Sequence, residues 1–230
     1  MLWLVCYAAF TGSVIYLVSV RPPGFQLWLA TVSLGQLVIG VLLAWRCKLE
    51  GVIASRRSWG FALLLLAVLQ VAEYVVAVHR LPLRLDLVVV AKEFLRYVIM
   101  IGLAEELWFR GLWFKVWANR TWPSVVGGSV LFGLYHAAAG WNAIVTTAAV
   151  GFVFAVARRA GASLLMLAVV HGMMDLMNRF VLPGVSWRFP QTVATLVFAL
   201  LCVVGGIALQ RGSRRKIEAS GRRILQFRRQ

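Results

Sequence analysis

The chain reads as a succession of apolar runs of about 15–20 residues, each closed by a short polar or helix-breaking cluster. The first run, about Leu2–Val20, stops at Arg21-Pro22-Pro23-Gly24, where two prolines and a glycine end any helix. A second covers about Phe25–Trp45 and is followed by a basic loop with Arg46, Lys48, Arg56 and Arg57. The third, about Trp59–Val78, ends at His79-Arg80-Leu81-Pro82. Residues 83–96 mix Arg84, Asp86, Lys92, Glu93 and Arg96 with valines and leucines. That mixture predicts an interfacial helix leading into a fourth run at about Tyr97–Val116. Pro123 suits the first turn of a fifth helix, about Pro123–Ala139, and Gly140-Trp141-Asn142 makes the turn after it. The sixth run is short, about Ala143–Ala157, and stops at Arg158-Arg159. The seventh is about Gly161–Arg179. Pro183, Gly184 and Pro190 break the loop before an eighth at about Gln191–Gln210.

Runs of this length suit bilayer-spanning helices, and the roughly ten-residue alternation of a membrane β-barrel is missing. The expectation is therefore an all-α, polytopic membrane helix bundle of about eight transmembrane helices. Residues 1–210 form the helical domain, and 211–230 form a basic tail. Composition agrees: 61% of the 230 residues are hydrophobic, against roughly 45–50% in soluble domains. No basic segment precedes the first run, which argues for a first span over a cleaved signal peptide.

The formal net charge of +16 would suit nucleic acid, but the basic residues flank the apolar runs. They are expected to meet anionic lipid, with no nucleic-acid partner. Taking the runs as spans, sixteen Lys and Arg fall at one side and seven at the other, with Arg110 inside a run. The positive-inside rule then puts the C-terminal tail in the cytoplasm, and an even span count puts the N-terminus there too, with Arg21 against the trend. The expected location is a multi-pass integral protein of a bacterial-type inner membrane. Ile217, Ile224, Leu225 and Phe227 would let part of the tail lie on anionic lipid. Cys6, Cys47 and Cys202 lack metal-ligand spacing and read as small apolar packing residues.

Against this background Glu105-Glu106-Leu107-Trp108-Phe109-Arg110 stands out, because charge at membrane depth is costly and marks function by default. Glu106 and Arg110 are spaced i,i+4 with the acid first, the favourable orientation for a pair on one helix face. Glu105 lies about 100° around the helix and needs a partner from another helix. His136, His171 and Asp175 are the candidates. At ~1.5 Å per residue from the basic ends of their runs, Glu105, His136, His171 and Asp175 rise roughly 16, 20, 15 and 21 Å, one layer near the midplane. A carboxylate beside an imidazole in a dry site can activate water as general base, and a second imidazole can donate to a developing oxyanion. Neither a nucleophile-elbow serine nor H-E-x-x-H is present.

Three motifs in order carry a resemblance. Glu105-Glu106-x-x-x-Arg110 fits E-E-x-x-x-R, Phe132-x-x-x-His136 fits F-x-x-x-H, and His171-x-x-x-Asp175 fits H-x-x-x-[N/D]. The set resembles the CAAX prenyl protease and bacteriocin-processing (Abi) family of glutamate-type intramembrane endopeptidases, over about residues 97–179. The resemblance implies that Glu105 and His136 activate the attacking water, while His171 and Asp175 stabilise the oxyanion. Glu106 and Arg110 would support the site. The family often has Asn at the last position; Asp175 donates a hydrogen bond only when protonated, or else orients His171. The substrate implied is a membrane-anchored or lipidated protein, and no cofactor is expected.

Two other readings use the same residues. Glu105, His136, His171 and Asp175 offer the N and O donors of a divalent-metal hydrolase. They could instead form the proton relay of an ion-coupled transporter. A third, a helper that immunises or regulates a membrane partner, would survive mutation of all four. A lone intramembrane His is often only a hydrogen-bond partner between helices. Glu73 reads as a local pair or a snorkelling acid, and Met166, Met173, Met174 and Met177 as adaptable packing.

Overall fold

A computed structural model describes residues 2–49, 51–52, 86–159 and 161–181. The third and eighth apolar runs, His79, Glu73, Cys202 and the basic tail lie outside these residues. Among the described residues every regular element is helical. α1 is Leu2–Val20 and α2 is Phe25–Arg46, joined through Pro22, Pro23 and a left-handed Gly24 (φ 73°). α3 runs from 87 to 116, α4 is Pro123–Tyr135, α5 is Trp141–Arg159 and α6 is Leu164–Val181. α2 over Leu27–Arg46 and α5 are long and apolar enough to cross a membrane, and Val5–Val20, Pro123–Tyr135 and Leu164–Leu176 are shorter apolar helices.

The mixed segment leads into the fourth run as one continuous helix. Asp86 caps a single helix, its Oδ1 accepting from the N–H groups of Val88 (2.8 Å) and Val89 (3.3 Å), and α3 then continues to Val116. Its winding is not uniform. Leu95–Gly102 and Leu107–Leu112 are π-helical, and the acidic pair sits in the α-helical turn Leu103–Glu106 between them. Such wide turns are uncommon and recur at functional sites.

α3 is the axis of the fold. From 104 to 112 it is buried on every side, as befits a helix enclosed by others. α6 runs antiparallel to it at backbone contact: a Cβ on Gly102 would lie 2.7 Å from the Ala168 carbonyl, and one on Gly172 would meet Val98. Small residues at such crossings let helices approach without a side-chain layer between them. α4 and α5 form the second antiparallel pair, with Gly133 against Ile144 and Gly151 against Phe132. α2 lies along α3 through Gly40, which faces Trp108, while α1 adds Tyr7 and Phe10 against Phe109 and Trp108. The methionine reading holds for Met166 and Met174, which are buried in the α5–α6 core. Cys6 packs against the aromatic cluster on α3, whereas Cys47 is exposed at the end of α2.

The two ends of the bundle differ in charge. One carries Arg46, Lys48, Lys115, Arg120, Arg158 and Arg159, stitched together by Arg158 on the Gly51 carbonyl (2.9 Å) and Arg159 on that of Ala118 (3.3 Å). The opposite end carries Arg21, Asp86 and the Gly140 turn.

Candidate active site

Arg110 is 1% exposed, and three helices satisfy it. Its Nη1 donates to Glu106 Oε1 at 2.9 Å and its Nη2 to the Gly151 carbonyl at 3.2 Å. The Phe132 ring lies under the guanidinium at 4.3 Å. The i,i+4 pair expected on one helix is thus formed. Gly151 is needed there, because a Cβ would sit 3.2 Å from Nη2 and 2.9 Å from Phe132.

Glu106 does more than hold Arg110. The same Oε1 lies 3.0 Å from His171 Nδ1. A carboxylate only accepts, so Nδ1 carries a proton and donates, which turns Nε2 toward the remaining acids. Nε2 lies 3.5 Å from Glu105 Oε2 and 3.7 Å from Asp175 Oδ2. Glu105 therefore finds its partner on another helix, and that partner is His171. Its Oε2 is buried without a hydrogen bond among the described residues, leaving an acceptor free beside the imidazole.

His136 stands apart from this cluster. α4 ends at Tyr135, not near Ala139, so His136 caps the helix and only a 3-10 turn, Ala137–Ala139, separates it from Gly140. Its Nδ1 donates to the Phe132 carbonyl (2.9 Å), one of the orphan carbonyls of a helix C-terminus. In the neutral ring Nε2 is then an acceptor. Phe132 links the two imidazoles, with its centroid 4.8 Å from that of His136 and 5.6 Å from that of His171. No hydrogen bond joins Glu105 to His136.

Exposure falls steadily inward. The Asp175 side chain is 32% exposed, His171 8%, Glu105 6% and Glu106 0%. The cluster opens past Asp175, toward the end that carries Gly140, and is closed behind by Arg110. Among the described residues no three His, Cys, Asp or Glu side chains are grouped so as to hold a metal ion.

The six residues singled out in the sequence thus comprise a contiguous set of five, with His136 joined to it through Phe132. Residues 88–177 match a family model described as type II CAAX prenyl endopeptidase Rce1-like. This segment is similar to that family. It covers α3 to α6, all three motifs and less than half of the 230-residue chain. Comparison with curated proteins and with solved structures returned no match.

The sequence reading missed a contribution from outside the matched segment. Gln36 on α2 is buried, and its Oε1 accepts from Tyr135 Oη at 2.9 Å while its carbonyl accepts from Trp108 Nε1 at 2.9 Å. One residue of α2, through its side chain and its backbone carbonyl, thereby ties together the residue before His136 and the helix of the acidic pair. The signal was an amide in the middle of an apolar run, the kind of residue that hydrogen-bonds between helices.

Proposed function

We propose that the chain is a multi-pass membrane endopeptidase that hydrolyses a peptide bond near the membrane anchor or lipidated terminus of a protein substrate. The observation that carries this reading is the buried Glu106–His171–Glu105 arrangement, closed by Arg110 and open at Asp175. Its agreement with the endopeptidase family matched by residues 88–177 supports the same reaction class.

In this reading a water occupies the gap beside Glu105 and attacks the scissile carbonyl carbon. Glu105 takes one proton as the C–O bond forms, and His136, with Nε2 free to accept, orients the water. The carbonyl electron pair moves onto oxygen. His171 meets that oxyanion from Nε2 when the ring carries both protons, each nitrogen having a carboxylate as counter-charge. Collapse breaks the C–N bond, and the proton held by Glu105 passes to the leaving amine. Asp175 orients His171, and Glu106 with Arg110 keeps the ring in register. The step needs no metal.

Exposed Trp28 and Trp141 at one end and Trp45 and Trp122 at the other support immersion in a bilayer, since such rings favour both interfaces. The positive-inside rule assigns the basic end and the C-terminal tail to the cytoplasm, with the tail on anionic lipid.

The test is processing of a membrane-anchored reporter co-expressed with variants of the full chain. Glu105→Ala, His136→Ala and His171→Ala are each expected to lower the rate by more than about 100-fold with unchanged accumulation in the membrane. Cleavage retained in Glu105→Ala overturns the mechanism. Treatment of purified protein with a chelator is expected to leave the rate unchanged. A loss restored by zinc would replace the carboxylate-driven step with a metal-driven one.

A further inference from the structure

Beside the turn that closes α2, at the basic end, α2 and α3 border a groove of about 710 Å³. Its volume falls within the ~300–1,000 Å³ typical of small-molecule sites. Val41, Trp45 and Leu103 line its walls over a floor of buried Ala44 and Leu107, and Arg46 and Lys48 stand at its mouth. Neither cation makes an ion pair with a described residue. The acid nearest in sequence, Glu50, lies outside those residues.

The turn that carries Lys48 is independently unusual. α2 ends with Leu49 N–H on the Ala44 carbonyl (2.9 Å) and Lys48 N–H on that of Trp45 (3.1 Å). This double closure is the Schellman motif, which requires a left-handed residue and normally uses glycine. Here that residue is Lys48, at φ 48°. A side chain with Cβ is less stable than glycine in this conformation. The chain thus keeps a lysine where the fold alone favours glycine, and that lysine borders an apolar groove.

We propose that this groove is a site for one anionic glycerophospholipid, with acyl chains against Val41, Trp45 and Leu103 and the phosphate between Arg46 and Lys48. The lipid is not the substrate of the candidate active site, which opens at the other end past Asp175. It would instead brace α3 from behind, because Leu103 precedes the acidic pair by two residues on the same helix. Attraction of the basic tail to a charged surface is a separate matter, since it needs no groove.

Brominated acyl chains quench a nearby tryptophan, and Trp45 is 81% exposed on the groove wall. The experiment places the full chain in bilayers holding equal mole fractions of phosphatidylcholine and phosphatidylglycerol, with either one brominated. Trp45 emission is the difference between the wild type and Trp45→Phe. The expected result is a three- to thirtyfold preference for phosphatidylglycerol at Trp45, the range that two basic side chains near a bilayer surface allow. Lys48→Gly with Arg46→Gln should bring the ratio near one. Lys48→Gly alone should weaken the preference while thermal stability in phosphatidylcholine stays equal or rises, which a purely structural lysine would not do. Equal quenching by both lipids in the wild type overturns the site. So does a preference that survives the double substitution, or one just as large at Trp28 on the other end.

Discussion

At the scale of single residues, Glu105 and Glu106 are neighbours with opposite duties, and substitution should separate them. Glu105→Gln is expected to stop cleavage with little change in thermal stability, since its Oε2 holds no hydrogen bond among the described residues. Glu106→Gln leaves Arg110 buried without its counter-charge, a change of about 3–5 kcal/mol in other buried pairs. Its melting temperature in detergent should fall accordingly. Arg110→Met should be equally damaging alone and much less so with Glu106→Leu, because removing both charges removes the unpaired one. Gln36 and Tyr135 offer a second cycle. Gln36→Leu strands the buried Tyr135 hydroxyl at a cost of about 1–3 kcal/mol, and adding Tyr135→Phe should recover most of it. A double variant no more stable than Gln36→Leu would mean that this hydrogen bond is not what α2 contributes. The i,i+4 spacing of Glu106 and Arg110 was legible in the sequence, as was the need of Glu105 for a partner elsewhere. That Glu106 serves Arg110 and His171 with one oxygen was not, because the second contact crosses 65 residues of chain.

At the scale of elements, boundaries set by proline and by charge were legible, while the winding between them was not. Pro22-Pro23-Gly24 ends α1 and Pro123 begins α4 as read, because these residues restrict the backbone locally. α3 joins the mixed segment and the fourth run in one helix, with Asp86 as its cap. Its π turns also alter the 3.6-residue period on which the layer estimate relied. His136 was placed inside a helix and instead ends one, where its own ring satisfies a carbonyl. The α3–α6 crossing carries its own prediction. Gly172→Val would drive a side chain into Val98 and the Tyr97 carbonyl (2.7 Å from a Cβ), costing about 1–3 kcal/mol and moving His171 away from both acids. Melting temperature and cleavage should fall together. Gly12→Ala on α1, where a Cβ meets nothing within 4 Å, should instead be neutral or stabilising by up to about 1 kcal/mol.

At the scale of the molecule, the charge asymmetry and the opening of the cluster make one joint prediction. Single cysteines at Asn142 and Asn119, both exposed and at opposite ends, should label from opposite sides of sealed vesicles, Asn119 from the cytoplasmic side. Labelling of Asn142→Cys from the cytoplasm would invert the orientation and bring cytoplasmic lipidated tails within reach of the cluster. The sequence by itself determined the helical class, the ends of most described helices and which side chains are too polar for their surroundings. These follow from local rules: apolar run length, proline and glycine conformation, and the cost of charge in an apolar segment. Only the tertiary structure decided which acid meets which imidazole, that α2 reaches the layer through Gln36, and which end the cluster faces. Those outcomes depend on how closely helices far apart in the chain can approach, and Gly102, Gly151 and Gly172 set that distance only once their neighbours are in place.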